Sequence, residues 1–490
     1  MEIGIIGAGI AGIAASIRLA AAGHEVTVFE ANEYVGGKLS EVRMQGYRFD
    51  AGPSLFTMPH FVEELFEVAG QSMEGKFAYE RLPIVCKYFW EDGVQLNAHA
   101  DVFKFAAEVH EKLGVKEKTI IRAYADSRYK YRATASTFLH KSLHKRSTWL
   151  TRDVLKALFK IPRLDIFRTM NSVNKSRLKD PHLVQLFNRY ATYNGSSPYK
   201  APGLLNIIPH FEHGIGAFYP KGGMIEITKS LFGLAKSMGV HFQLKTKIDE
   251  IIVSKKKATG VKVGEWQHNF DRIVCNMDVF HAYKKLLPKE KAPERTLRQT
   301  KSTSALIFYW GMTEKFPELD VHNIFFSDNY ELEFEHLTER KTVYDDPTVY
   351  INITQKYESG DAPEGGENWF AMINTPHNVG QDWDDIIKEA RENIIEKVSR
   401  ILGRDIRPLI VCEHILDPRL IEEKTSSHLG ALYGTSSDNR MAAFLRHPNF
   451  SRQIKGLYFV GGSVHPGGGI PLCLLSAKIA VELIGQEGEQ

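Results

Sequence analysis

Gly7, Gly9 and Gly12 punctuate the stretch GAGIAG directly after an apolar run at 3–6, and Glu30 closes a second apolar run at 26–29. Glycines at that spacing suit phosphate binding. Gly7 allows a tight turn, Gly9 lets the backbone approach a pyrophosphate, and Gly12 lets a helix pack closely on the strand. The alanine-rich segment 10–22 reads as that helix, with Gly23 placed to end it. Its unpaired N–H groups and positive dipole end favour an anion at its start. Glu30, eighteen residues beyond Gly12, has the spacing and the acceptor oxygens for both hydroxyls of an adenosine ribose. These residues specify a dinucleotide and leave NAD and FAD both open.

Other side chains narrow the chemistry by what they do not form. Cys86, Cys275, Cys412 and Cys473 lie far apart, with no CxxC pair and no histidine cluster at zinc spacing, so free buried thiols and no metal site are expected. No Ser-His-Asp or paired-carboxylate arrangement demands hydrolytic chemistry. Between Lys141 and Asp180 eleven Lys or Arg stand against three Asp. There Leu155, Leu158, Phe159, Ile161, Leu164, Ile166 and Phe167 interleave with Lys156, Lys160, Arg163 and Arg168. Such a segment suits an anionic membrane surface or a solvated helix face. Nothing accompanies the charge that reads as a nucleic-acid fold, so nucleic acid is not an expected partner.

The elements that must position these groups follow from patterning. A chain of 490 residues exceeds one ordinary core, and two or three domains are expected. No apolar run is long enough to span a bilayer, and the start of the chain lacks a positive n-region, so an unprocessed cytoplasmic protein is expected, with a peripheral seat on the inner face of the cell membrane as the further expectation. From Phe61 to Tyr190 the pattern is mainly helical, with Thr151 a cap ahead of Val154, Leu155, Leu158 and Phe159. Strands are expected at 240–244, 248–253, 259–263 and 271–275, with a lysine-rich hairpin turn inside that group. Residues 301–375 read as strand-rich, 382–402 as one helix, and the tail as a strand LYFVGG, a glycine loop and a final helix from Leu472 to Ile484. One domain is thus expected to assemble from separated parts of the chain: 1–75, 215–285 and 405–490 for the dinucleotide, 76–100 and 286–404 for a substrate sheet, and 101–214 for a helical cap.

Gly36, Gly37 and Lys38, in NEYVGGKLSEV directly after the βαβ unit, resemble the GG motif of the flavoprotein superfamily that includes amine oxidases and GDI-like proteins. YRFDAGPSLFTMP, SPYKAPG with FYPKGGM, RIVCNMDV and LYFVGGSVHPGGGIPLCLLSAKIA add a resemblance, over nearly the whole chain, to bacterial-type phytoene desaturases. That resemblance implies an α/β fold: a Rossmann-type FAD-binding domain, a β-sheet substrate domain and a helical cap. It implies FAD, with Gly36 and Gly37 beside its phosphates and Lys38 at the phosphate or ribityl region. Gly52, Pro53, Ser54 and Leu55 would follow the ribityl chain and flavin ring, Ile248 the adenine, and Asn276 the adenosine end. Gly462 and Ser463 would lie by the ribityl phosphate, and Gly469, Ile470 and Pro471 at the pyrimidine edge, where the following helix stabilises a reduced flavin's negative charge. His465 would stand near the ring, to relay a proton or to fix its loop.

Within that resemblance Lys38 stands where Arg is frequent, so it offers a point charge without Arg's bidentate fork, and GGSV stands where GAST is frequent. The lipophilic substrate implied is a carotenoid. GPSLFTMP and HPGGGIPLCLLSAK look more like the family members acting on hydroxylated carotenoids, which implies 3,4-desaturation of a 1'-hydroxycarotenoid. Phytoene desaturation, carotenoid isomerisation and a non-catalytic lipid-binding role are the alternatives. Oligomeric state and the final electron acceptor stay open.

Overall fold

The computed structural model describes residues 1–149, 160–439 and 445–488. Thr151 and the expected helix carrying Val154, Leu155, Lys156, Leu158 and Phe159 lie outside the described residues.

Ile3, Ile5, Val26, Val28 and Val274 pack into one core while Ile6, Phe29, Ile273 and Cys275 pack into another. Alternate residues of a strand point to opposite faces, so a sheet covered on both sides buries both sets. The sheet is five-stranded, in the order His241–Gln243, Glu25–Phe29, Glu2–Ile6, Arg272–Cys275, Leu457–Phe459. All four pairings are parallel. Helices Ile10–Ala21, His60–Val68, Ile225–Ser237 and Ile470–Gly488 supply the first core. The antiparallel strands Glu250–Ser254, Lys257–Val263 and Trp266–Asn269 lie on the second, where Ile251, Ala258 and Val261 are buried.

A second sheet has seven strands, ordered Ile410–Leu416, Ser304–Met312, Glu367–Thr375, Val349–Asn352, His322–Phe325, Ile84–Phe89, Gln95–His99. Only the pairing of His322–Phe325 with Ile84–Phe89 is parallel. Its Leu306, Phe308 and Trp310 pack against helix Trp383–Leu402, and its Ile307, Tyr309 and Phe370 face the opposite way.

Three strands interrupt the mainly helical stretch 61–190, Tyr79–Arg81, Ile84–Phe89 and Gln95–His99, all within the segment 76–100 expected to form sheet. Ile84–Phe89 is covered on both sides, so its apolar run lacks the alternation that marks a half-exposed strand. Beyond it come helices Val102–Leu113, Glu117–Phe138, Met170–Leu178 and Pro181–Arg189. Asp101 caps the first by accepting from the Phe103 and Lys104 amides, and Gly114 ends it in the left-handed conformation. These helices share a core with the edge of the large sheet, through Phe105, Ile120, Phe187, Tyr88 and Trp90. Among the described residues no helix is long and apolar enough to cross a membrane.

Candidate functional site

The glycine turn is built by close approach. A Cβ on Gly12 would lie 2.1 Å from the Gly7 carbonyl oxygen, so no side chain fits where the first helix crosses the first strand. Gly9 pairs with Gly36, and the Gly36 amide donates to the Ala8 carbonyl at 2.8 Å, laying the two glycine loops side by side. Asn276, at the end of Arg272–Cys275, donates through Nδ2 to the Gly7 carbonyl at 3.2 Å. The Glu30 carboxylate accepts from the Ala8 amide at 2.7 Å and the Asn32 amide at 2.9 Å, so it braces the loop that it follows.

A cavity of about 1830 Å³ opens from this loop, against roughly 300–1,000 Å³ for an ordinary small-ligand pocket. Gly9, Gly36, Gly37, Lys38, Gly52, Pro53, Ser54, Leu55, Asn276, Gly462, Ser463, His465, Gly469, Ile470 and Pro471 all border it. Gly7, Gly12, Glu30 and Ile248 do not: Gly7 and Gly12 pack against each other within the turn, Glu30 is turned to the amides it accepts from, and Ile248 is packed in the core between the small antiparallel sheet and the parallel one. Two helices, Ile10–Ala21 and Ile470–Gly488, begin at the cavity wall, where their unpaired N–H groups favour negative charge.

Lys38 Nζ donates to the Leu432 carbonyl at 3.0 Å. Burial lowers its pKa, and Cys473 and Asp278 partly oppose that. A Cβ on Gly52 would meet the Lys38 carbonyl oxygen at 1.9 Å, so the GG and GPSL loops touch through backbone alone. Two helix N-termini, paired glycine loops and a half-buried lysine on the cavity wall fit a flavin dinucleotide's pyrophosphate and extended body.

His465 is buried, and its Nε2 lies 2.9 Å from the Lys141 carbonyl, a partner that can only accept. Burial drives its pKa down to about 3, with His144 and Arg446 adding to the effect, so the ring is neutral.

Away from the glycine loops the wall is mostly apolar, with Leu205, Ile208, Phe211, Ile307, Phe370 and Met372 among its members. Polar groups gather at one part of it. Ser54 Oγ lies 2.7 Å from Tyr350 Oη, which lies 2.7 Å from His322 Nδ1. Arg189 pairs with Glu212 at 3.3 Å, and Tyr190 Oη donates to Glu212 at 2.9 Å. Burial alone would raise the Glu212 pKa, but Arg189, His213 and the tyrosine hydroxyls outweigh it and hold the carboxylate ionised. Of this group the sequence pointed only to Ser54; Tyr350, His322, Arg189, Tyr190 and Glu212 were missed because they come from two strands, a helix end and the turns that follow it, far apart in the chain with no spacing signal to join them.

No metal ligand set was expected, yet His281, Glu422 and His428 place ligand atoms within 4.8 Å of one another. His281 Nε2 lies 3.1 Å from Glu422, and His428 stacks on Phe280 with ring centroids 3.5 Å apart. Lys301 and Lys285 stand near enough to lower the His428 pKa further after burial has done so, a cationic setting that opposes a metal ion.

Residues 10–485 match the family model of flavin containing amine oxidoreductases. The chain is 52% identical over 480 residues to a 1-hydroxycarotenoid 3,4-desaturase of Flavobacterium sp. (strain P99-3), covering 98% of each. It is 33% identical to a 4,4'-diapolycopene oxygenase of Methylomonas sp, covering 98% of this chain and 97% of that one. Among solved structures, cyclohexylamine oxidase from Brevibacterium oxydans IH-35A superposes with a TM-score of 0.63 at 15% identity, over 100% of this chain and 99% of that one. That likeness speaks for the fold.

Proposed function

The chain belongs to the flavin containing amine oxidoreductase family, and from that premise we propose that it desaturates a 1-hydroxycarotenoid at the 3,4 position, at the same end of the chain as the hydroxyl. It is an FAD-dependent oxidoreductase. The observation that carries the substrate is the single cavity that joins the glycine loops to a long apolar wall. A polyene is the ligand class that such a wall desolvates favourably along its whole length.

FAD, when bound, would supply the acceptor for a hydride from one allylic carbon, while a proton leaves the neighbouring carbon to complete the double bond. The chain's own residues hold and orient. Gly9, Gly36, Gly37, Asn276 and Gly462 are assigned to the cofactor's phosphates and adenosine, and Gly52, Pro53, Ser54, Leu55, Gly469, Ile470 and Pro471 to its ring side. Ile307, Tyr309, Phe370 and Met372 on the large sheet exclude water from the facing wall. Conjugation spreads the developing cation over the polyene, so the protein's task is alignment. In this reading residues 1–75, 215–285 and 405–490 form the flavin unit, 76–100 and 286–404 the substrate sheet, and 101–214 the cap.

Anaerobic mixing with a 1-hydroxycarotenoid should bleach the flavin and yield a product lighter by two hydrogens. The 33% identity to an oxygenase gives the second reading, terminal oxidation, which would show as added oxygen in the product mass. Conversion of phytoene alone would overturn the substrate assignment.

The cap is further assigned to an anionic membrane surface. The cavity lining reaches Phe167, 69% exposed, and Trp149, 37% exposed, within the basic segment that also holds Lys160, Arg163 and Arg168. Aromatic groups beside cations at a cavity mouth suit a lipid interface. Flotation with anionic vesicles that weakens with salt is expected, and no binding at low salt refutes this seat.

A further inference from the structure

A carotenoid hydroxylated at C1 and oxidised at C3 and C4 carries its oxygen only two carbon–carbon bonds from the reacting segment. Whatever reads that hydroxyl therefore stands beside the flavin end of the apolar wall. The Ser54, Tyr350, His322 and Arg189 group is placed there: Ser54 belongs to the GPSL loop in contact with Lys38, and all four residues border the cavity.

The hydrogen-bond directions in this group are determined by its partners. Asn352 Nδ2 donates to the Val321 carbonyl at 2.8 Å, which fixes the amide orientation, and lies 3.2 Å from His322 Nδ1. His322 Nδ1 is thus an acceptor, its one lone pair shared between the Asn352 amide and the Tyr350 hydroxyl, which donates to it at 2.7 Å. Tyr350 in turn accepts from Ser54. Burial brings the His322 pKa down to about 4, with Glu212 raising and Arg189 lowering it by less, so the ring is neutral and its one proton resides on Nε2. That Nε2–H is buried and has no hydrogen-bond partner.

Arg189 shows the same surplus. Nη2 lies 2.9 Å from Tyr88 Oη and 3.3 Å from Glu212, and Nη1 lies 3.4 Å from Tyr193 Oη, while Nε is buried without a partner. Two residues on the same stretch of an otherwise apolar wall each carry an N–H that the protein leaves unused. Buried donors are ordinarily satisfied, and a ligand oxygen is the natural acceptor for a pair like this.

We propose that His322 and Arg189 bind the substrate hydroxyl and set the enzyme's preference for a hydroxylated chain end, with Tyr350 and Asn352 fixing the tautomer that makes His322 a donor. This rests on the desaturase reading. It also supplies a physical basis for discrimination, since a site built to hydrogen-bond a hydroxyl leaves its donors unpaired when the analogue lacks it.

The test uses the flavin-loaded full chain and two carotenoids identical except for the C1 hydroxyl, with both binding (quenching of flavin fluorescence) and kcat/KM measured. The wild type should favour the hydroxylated compound by at least about tenfold. His322→Phe and Tyr350→Phe should each bring that ratio toward one with flavin content retained, and His322→Gln, which keeps an N–H donor, should restore part of it. Equal binding of the two carotenoids by the wild type overturns the proposal. So does a proportionate loss on both compounds in all three variants, the behaviour of a group that only ties the cap to the sheet. Preferential binding without turnover of either compound would keep the hydroxyl site and defeat the desaturase reading. Desaturation of both at equal kcat/KM would do the reverse.

Discussion

The side-chain amide of Asn276 donates to the carbonyl of Gly7 across 3.2 Å, joining the end of one parallel strand to the glycine turn that follows its neighbour. The same amide crowds the C-terminal loop, since a Cβ on Gly461 would lie 2.7 Å from Asn276 Oδ1. One residue therefore gauges the spacing of two loops at the cofactor cavity. Asn276→Leu removes the bond and adds bulk, and is expected to purify with a flavin-to-protein ratio well below that of the wild type. Gly12→Ala should be worse, because its Cβ would meet a backbone oxygen at 2.1 Å. Overpacking of that kind costs about 1–3 kcal/mol. Absorbance of the bound flavin and the thermal midpoint check both, and a fully yellow, equally stable Gly12→Ala protein would contradict the packing argument.

The Arg189 and Glu212 pair is held at 3.3 Å with both side chains almost wholly buried. Removing one partner strands the other charge, so Glu212→Gln should lower stability by about 3–5 kcal/mol, whereas replacing both partners with apolar residues of similar volume should cost much less. Denaturant midpoints across the double-mutant cycle measure the coupling. Additive single effects would show that the pair is not energetically joined.

The first sheet was legible for a physical reason: in Ile3, Gly4, Ile5 and Ile6, then Val26 to Glu30, strand, turn, helix and acid occur at fixed offsets within thirty residues. Local rules govern such a unit. The GPSL and HPGGGIP blocks were legible only through resemblance, since nothing in their composition says that Gly52 touches Lys38. His322, Tyr350 and Arg189 were not legible by either route. His322 and Tyr350 stand on paired strands of the large sheet and Arg189 ends a cap helix, and only tertiary packing brings them together. The bounds of strand Ile84–Phe89, inside the segment 76–100 expected to form sheet, were not legible because burial on both faces erases its alternation.

Acid sensitivity follows from buried neutral histidines. Burial brings His213, His322 and His447 down to about 4 and His465 to about 3. The unfolded chain protonates these rings as pH falls below about 6.5, while the folded chain does not until it reaches its own lower values. Stability is therefore full above pH 6.5 and declines from there toward pH 4, by roughly 1.4 kcal/mol per pH unit for each ring in the window. His447 is the cleanest probe, with Nδ1 2.7 Å from the Pro448 carbonyl and Nε2 3.1 Å from Tyr283 Oη. Thermal midpoints should fall between pH 7 and 5, less steeply in His447→Gln. A flat profile over that range would sink the assignment.

His465 separates two roles by one hydrogen bond. Its Nε2–H donates to Lys141 at 2.9 Å, at the far end of the cap helix connection, and its own carbonyl accepts from Asn449 at 2.8 Å. A ring with a pKa of about 3 is a weak base at neutral pH, which favours a role for His465 in positioning the HPGGGIP loop. Loop positioning needs a donor and not a titrating ring. His465→Gln should then retain most of the turnover while His465→Leu loses it, and neither should move the pH dependence of kcat between pH 6 and 8. Proton relay makes the opposite demand: Gln and Leu would fail alike, and the wild-type profile would show an ionisation that both substitutions abolish.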